Sequence, residues 1–123
     1  MPSIKGEVMR SYNGFSPQQR ERASRIQRKA IQDGIMPKPS ECSCTICGQD
    51  RGIRHYHNED YSDDKIISDA KVVCWRCHMM IHNRFQHPLS FAKYMLDITL
   101  YKKRFAPVFR GDAWEELEQH YID

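Results

Sequence analysis

The sequence predicts a small α+β fold, and three observations carry that prediction. Two Cys-x-x-Cys pairs, Cys44 with Cys47 and Cys74 with Cys77, are separated by 26 residues. Short β-type runs lie between the pairs, and helical patterns lie on both sides of them. With 123 residues, of which 40% are hydrophobic and 28% charged, the chain has room for one modest core.

The first helix is predicted between Ser16 and Gly34. Ser16 and Gln19 have the spacing of a capping box, and the proline between them suits the first helical position. Gly34 suits the left-handed residue that often follows a helix. Apolar residues are few in this segment, so we expect the helix to dock on the rest of the chain through Ile26 and Ala30.

The centre of the chain is predicted to form a strand over 53–57, a polar loop over 58–69 and a second strand over 71–73. A helix over 75–85 should follow directly. A further helix is expected over 89–105, with a buried face made of Phe91, Tyr94, Met95, Ile98 and Tyr101. A capping box that starts at Asp112 predicts a short acidic helix that ends near Tyr121.

The paired cysteines predict a structural zinc site made of Cys44, Cys47, Cys74 and Cys77. Zinc prefers four tetrahedral ligands, and thiolate sulfur is among its best protein ligands. The 26 residues between the pairs hold little apolar material, so metal binding would supply folding free energy, on the order of 10 kcal/mol. Cys42 is left over, either as a free thiol or as an alternative ligand.

Three histidines in the same region predict a second metal site. His78 and His82 are four residues apart, so they share one face of the predicted helix. His57 ends the preceding strand, which a strand–loop–strand–helix fold brings opposite that face. Three imidazoles with open coordination positions suit a catalytic divalent metal such as Mg²⁺, Mn²⁺, Ni²⁺ or Zn²⁺. The alternative is that they are exposed side chains or only support other ligands.

Positive charge is concentrated at the start of the chain. Residues 1–40 carry eight Lys or Arg against three Asp or Glu, whereas the rest of the chain is nearly neutral. This imbalance predicts contact with a polyanion such as DNA, or else a solvated helix face. The residues expected to bind phosphates are Arg20, Arg22, Arg25, Arg28 and Lys29.

Several stretches resemble the small HNH, or ββα-metal, proteins that are common in bacteriophage genomes. These proteins typically show Cys-x-x-Cys-Gly, then His-His-Glu-Asp-Tyr, then Cys-x-x-Cys-His-x-x-x-His. The matching stretches here are Ile46-Cys47-Gly48, His55-Tyr56-His57-Asn58-Glu59-Asp60-Tyr61 and Cys74-Trp75-Arg76-Cys77-His78-Met79-Met80-Ile81-His82. The helix that precedes these motifs is also similar to the one in those proteins, and with it the resemblance covers roughly residues 22–84.

The resemblance implies a phosphodiester hydrolase with a zinc-bound HNH-like core over 41–86. The charge and helical patterns predict a basic helical arm over 1–40 and a helical extension over 87–123 that packs on the core, and this extension lies outside the resemblance. His57, His78 and His82 would hold the catalytic divalent ion. In such proteins an asparagine, or an acidic residue in its place, holds the loop after the first strand. The nearest candidate for that residue here is Asp69.

In this family the residue after the first metal-binding histidine is the general base. That position here is Asn58, whose amide cannot accept a proton near neutral pH. General-base catalysis typically contributes about 10²–10⁴-fold, so weakened cleavage is expected, together with recovery in an Asn58→His variant. His55 lies two residues before His57 on the same strand face and is the alternative base.

Two functions follow. The first is a metal-dependent DNA endonuclease that nicks or cleaves, and the second is a non-catalytic zinc module of HNH descent that binds DNA or a protein. The aromatic C-terminal helices would be core, or else a surface for a protein partner or a homodimer. No membrane contact is expected, and the absence of a secretory signal predicts a cytoplasmic location, in a bacterial host if the chain is phage-encoded.

Overall fold

The computed structural model describes residues 9–111 and 113–123, which form four α-helices and one two-stranded antiparallel sheet. A single turn of 3-10 helix covers Pro39–Glu41. The elements in chain order are α1 (Pro17–Gln32), β1 (Arg54–His57), β2 (Lys71–Cys74), α2 (Trp75–Asn83), α3 (Pro88–Thr99) and α4 (Trp114–Glu118). The predicted small α+β fold is confirmed at this level.

Helix α1 begins and ends where its local signals predict. The Ser16 hydroxyl accepts a hydrogen bond from the backbone N–H of Gln19, and the Gln19 side chain accepts one from the N–H of Ser16. Beyond the end of the helix, Gly34 has a φ of 77°, a conformation that costs glycine little. Ala30 is buried and Ile26 is half-buried, so the helix docks on the expected face.

The hairpin presents its first strand to the helix that follows it. β1 pairs with β2 so that Arg54 faces Cys74 and His57 faces Lys71. Because β2 runs directly into α2, that helix folds back onto both strands. The loop between the strands is held as predicted at Asp69, whose carboxylate accepts the backbone N–H groups of Glu59 and Asp60, each at 2.8 Å.

The segment after α3 differs from its prediction. The helix ends at Thr99 rather than near 105, and the chain turns at Lys102, which has a φ of 56°. Tyr101 is therefore 70% exposed, so its expected place in the buried face is wrong. The following residues run without regular structure, and the Val108 carbonyl accepts a hydrogen bond from the N–H of Ile53 at 2.7 Å.

Two polar anchors hold the end of the chain against the rest. The buried guanidinium of Arg76 donates to the carbonyl and carboxylate of Glu116 and to the carbonyl of Ala106. The Asp123 carboxylate accepts the backbone N–H groups of Leu89 and Ser90 at the start of α3. The expected capping residue Asp112 lies outside the described residues, and α4 ends at Glu118, earlier than predicted. No described helix is long and apolar enough to cross a membrane.

Candidate metal centres

The four paired cysteines meet in the interior, where β2 joins α2. Their sulfur atoms all lie within 4.8 Å of one another, and Cys44, Cys74 and Cys77 are buried. The first pair forms a tight turn that closes with a hydrogen bond from the N–H of Gly48 to the Cys44 carbonyl. These four residues, the cysteine cluster, could hold a metal ion.

The electrostatics of the cysteine cluster favour a cation. Hydrogen bonds from the other three side chains lower the pKa of Cys44, so one thiolate forms readily. Hydrogen bonds to Cys44 and its neighbours raise the pKa values of Cys74 and Cys77, because further negative charge in a buried group is unfavourable. A divalent ion would neutralise that charge, and four thiolates are a ligand set typical of structural zinc.

The cysteine cluster has an outer contact that the sequence analysis did not identify. The Tyr94 hydroxyl on α3 lies 3.2 Å from the Cys77 sulfur and can donate to it when Cys77 is a thiolate. Tyr94 is 2% exposed and stacks on Phe105. The sequence signal was present, because Tyr94 belongs to the predicted buried face, but nothing indicated which group its hydroxyl would meet.

The structure brings together three of the predicted histidines. The imidazole nitrogens of His57, His78 and His82 lie within 4.8 Å of one another, and the Nε2 atoms of His78 and His82 are 3.0 Å apart. Burial lowers the pKa of all three, and the neighbouring histidines lower the pKa of His78 and His82 further. These three residues, the histidine cluster, are therefore neutral near neutral pH, which is the form that binds metals.

Three charged or polar side chains border the histidine cluster. The Glu59 carboxylate contacts Nε2 of His57 and accepts hydrogen bonds from Tyr12 and Arg84, both at 2.5 Å. Burial alone would raise the pKa of Glu59, but these hydrogen bonds outweigh it and lower the pKa. Glu59 lies within the motif that contains His57, but no sequence signal indicates its role. Tyr12 is distant from the motif and Arg84 follows it, so neither was predicted.

Asn58 lies in a buried hydrogen-bond network. Its side chain is 2% exposed, and its carbonyl accepts a hydrogen bond from the Gln27 amide of α1 at 2.7 Å. Its own amide donates to the Ile66 and Asp60 carbonyls. Asn58 therefore ties α1 to the loop between the strands. The effect of Asn58→His on cleavage stays a prediction, and the structure adds that a histidine there would break this network.

His55, the alternative base, lies beside the histidine cluster without joining it. Its ring centroid is 5.5 Å from that of His78. Burial lowers the pKa of His55 to about 4.

The remaining cysteine and histidines lie outside both clusters. The Cys42 sulfur contacts the Lys38 carbonyl. His87 stacks on Tyr121, and His120 packs edge-on against Phe105.

The predicted phosphate-binding residues divide into two groups. Arg22, Arg25, Arg28 and Lys29 are exposed on α1 and form what we call the basic face. Arg20 is 2% exposed, so its assignment to this surface is wrong. It lies at a helical position that faces the interior, where its guanidinium carbon is 5.3 Å from the ring centroids of Tyr12 and Tyr61.

Comparison of the chain with protein-family models, with curated proteins and with solved structures gives no significant match.

Proposed function

We propose that this chain is a metal-dependent DNA endonuclease of the HNH type with a structural zinc. The observation that carries the proposal is the convergence of three neutral imidazoles from β1 and α2 within 4.8 Å. They meet on a strand–loop–strand–helix unit in which the cysteine cluster joins the hairpin to the helix. This arrangement agrees with the motif spacing on which the resemblance to HNH proteins rests.

Each cluster has a separate task in this proposal. Zinc in the cysteine cluster would hold β2 and α2 in place, so that His78 and His82 keep a fixed position opposite His57. A divalent ion at the histidine cluster would stabilise charge on the scissile phosphate and on the leaving oxygen. Arg84, held beside His57 by Glu59 and Tyr12, would place a positive charge near the same phosphate.

The basic face of α1 supports DNA as the substrate. Its cationic side chains are exposed, and the helix that carries them is joined to the loop after His57 by the hydrogen bond from Gln27 to Asn58. Arg22 and Arg25 pair with Asp63 and Glu21, but these ion pairs are exposed and can be exchanged for phosphates at little cost.

A second function, a zinc module that binds DNA without cutting it, is favoured by Asn58. The position where HNH enzymes carry their base is buried and fully hydrogen-bonded in this chain. If no other group replaces the base, cleavage should be slower by about 10²–10⁴-fold than in an enzyme that has one. Both functions use the same zinc and the same basic face.

A plasmid-nicking assay distinguishes the two functions. The zinc-loaded protein is tested with added Mg²⁺, Mn²⁺, Ni²⁺ or Zn²⁺, beside the variants His82→Ala and His87→Ala. We expect slow, metal-dependent nicking that His82→Ala abolishes and His87→Ala retains, because His87 lies outside the histidine cluster. DNA binding without nicking by the natural chain, under every metal, would reject the endonuclease in favour of the binding module.

A further inference from the structure

A second basic stretch of the chain lies between α3 and α4, over residues 101–110. It carries four Lys or Arg and no Asp or Glu, and three of its residues are aromatic. Neither the cysteine cluster nor the histidine cluster includes any of its residues. The resemblance to HNH proteins ends before this stretch, which we call the linker segment, and the proposed endonuclease gives it no task.

The core holds the backbone of the linker segment in a fixed, irregular path. The Ile53 N–H donates to the Val108 carbonyl at 2.7 Å, and the Gln49 amide donates to the Phe105 carbonyl at 3.1 Å. Val108 is buried, and Phe105 stacks on Tyr94. A backbone that is fixed in this way presents its other side chains to a ligand without the cost of ordering a loop.

The side chains of the linker segment that point away from the core are aromatic and cationic. Tyr101 is 70% exposed and Phe109 is 67% exposed. Lys102, Lys103 and Arg104 are three consecutive exposed cations between them. Single exposed apolar side chains are ordinary, whereas exposed rings beside a run of cations form the combination that binds single-stranded nucleic acids.

The positive charge of the linker segment is only partly offset. Arg104 donates to two backbone carbonyls at 3.3 and 3.0 Å, and these groups carry no net charge. Asp97 lies close enough to Lys103 for their charges to interact, although its hydrogen bond is with Lys93. Within residues 9–111 and 113–123, no carboxylate forms a salt bridge with any of the three consecutive cations. The segment therefore favours an anionic partner.

Phe109 also lines a groove of about 630 Å³ that continues onto α4. Trp114, which is 44% exposed and lies edge-on against Trp75, lines the same groove. An unpaired base can stack on such rings, because every base has a π-face. Glu115 and Glu116 line the groove too and repel phosphates, so the backbone of a bound strand should follow the three consecutive cations instead.

We propose that the linker segment, together with Trp114, binds single-stranded DNA. Bases stack on Tyr101, Phe109 and Trp114, while the three consecutive cations contact phosphates. Double-stranded DNA does not fit this surface, because its bases already stack on one another and face inward, and it is left to the basic face of α1. The recognition of unpaired bases stands without the endonuclease, and only the choice of DNA over RNA rests on the proposed function.

Fluorescence anisotropy of a labelled oligothymidylate tests the proposal, with the zinc-loaded protein and no added divalent metal, so that cleavage does not interfere. Phe109→Leu should weaken binding about 10-fold, because it removes the stacking surface but keeps an apolar side chain. Phe109→Tyr keeps a ring and should bind as the natural chain does. Phe85→Leu is the matched control, because Phe85 is a similarly exposed ring, at 62%, beside the histidine cluster, and it should leave the affinity unchanged.

Tyr101→Leu is a second variant in the same assay and should also weaken binding about 10-fold. Neither substitution should lower Tm, because both rings are mostly exposed and contribute little to the core. Unchanged affinity in both Phe109→Leu and Tyr101→Leu would overturn the proposal. So would an equal loss in Phe85→Leu, which would place the strand at the histidine cluster, or an equal loss in Phe109→Tyr.

Three further comparisons separate this proposal from the endonuclease. Phe109→Leu should leave the affinity for a duplex of the same length unchanged, and an equal loss for duplex and single strand would overturn the recognition of unpaired bases. Tighter binding of oligouridylate than of oligothymidylate would overturn the assignment to DNA. A natural chain that binds the single strand through Phe109 but never nicks a plasmid rejects the endonuclease alone, whereas nicking without an effect of Phe109→Leu or Tyr101→Leu rejects this proposal alone.

Discussion

The two clusters meet on α2, where Cys77 and His78 are adjacent, yet their surroundings differ. The cysteine cluster is packed among apolar side chains such as Val73, Trp75 and Val108. The histidine cluster is bordered by Glu59 and Arg84, which carry opposite charges, and by the Tyr12 hydroxyl. An apolar enclosure suits an ion that stays in place, whereas a polar border suits an exchange of ligands.

The contrast shows how one short helix can serve two purposes. The N-terminal turn of α2 supplies Cys74 and Cys77, whose charge the helix end favours. One turn later the same helix presents His78 and His82 to β1. The proposed structural site and the proposed catalytic site are thus adjacent in space but depend on different side chains, so mutations should affect stability and cleavage separately.

The largest expected effect is the loss of the cysteine cluster. Cys47→Ser should remove the metal and unfold the hairpin and α2, with a loss of stability on the order of several kcal/mol. Native mass spectrometry and circular dichroism measure metal content and folding. Cys42→Ser is the matched control and should keep both, because Cys42 lies outside the cluster. A metal-free chain that stays folded would refute the structural role.

The contrasting variant is His82→Ala, which should leave the fold and the cysteine-bound metal intact. The imidazole lies at the last turn of α2 and belongs to the histidine cluster alone. We expect unchanged circular dichroism and one retained metal per chain. If His82→Ala unfolded the chain as Cys47→Ser does, the division of tasks between the clusters would be wrong.

Asn58 should prove structural. Asn58→His is expected to lower the free energy of unfolding by about 1–3 kcal/mol, because it removes the buried hydrogen bonds of the Asn58 side chain to Gln27 and to the Asp60 and Ile66 carbonyls. No gain in plasmid nicking should accompany the change. Denaturant unfolding of Asn58→Ala, Gln27→Ala and the double variant measures the coupling directly. Additive effects, or faster nicking by Asn58→His, would contradict this assignment.

A smaller effect, on metal affinity, is expected at Tyr94, whose side chain contacts the cysteine cluster without belonging to it. Tyr94→Phe removes the hydroxyl beside Cys77 and should weaken metal affinity by about 10–100-fold, as supporting contacts of metal ligands commonly do. Competition with a chromophoric chelator measures the affinity. Tyr101→Phe is the matched control, because Tyr101 is 70% exposed, and it should have no effect. Equal affinities for both variants would show that the Tyr94 hydroxyl is irrelevant to the metal.

The smallest effect per substituted residue is expected at the basic face, where the quantity that changes is the affinity for double-stranded DNA. Replacing Arg22, Arg25 and Arg28 by Gln should weaken binding to unrelated DNA sequences and reduce the salt slope by about 3. The control replaces Lys93, Lys102 and Lys103, which are exposed elsewhere on the chain. Filter binding at several salt concentrations measures the slope, and an equal reduction by both triple variants would mean that α1 is not the DNA-binding side.

Local signals predicted most of the elements and the membership of both clusters. The capping box of α1, the i, i+4 spacing of His78 and His82 and the position of Asp69 all act through residues close in sequence. The end of α3 was predicted less well. Its apolar pattern continues to Tyr101, but the chain turns at Lys102 and exposes that ring.

The sequence by itself therefore determined which residues form the two clusters, because ligand spacing and short-range hydrogen bonds are properties of neighbouring residues. Tertiary structure alone decided which polar side chains surround them. Arg20 is buried and Asn58 is inaccessible because α1 docks against the loop between the strands. The hydrogen bonds among Glu59, Tyr12 and Arg84 join residues as many as 72 positions apart in the sequence. No local pattern specifies such a contact.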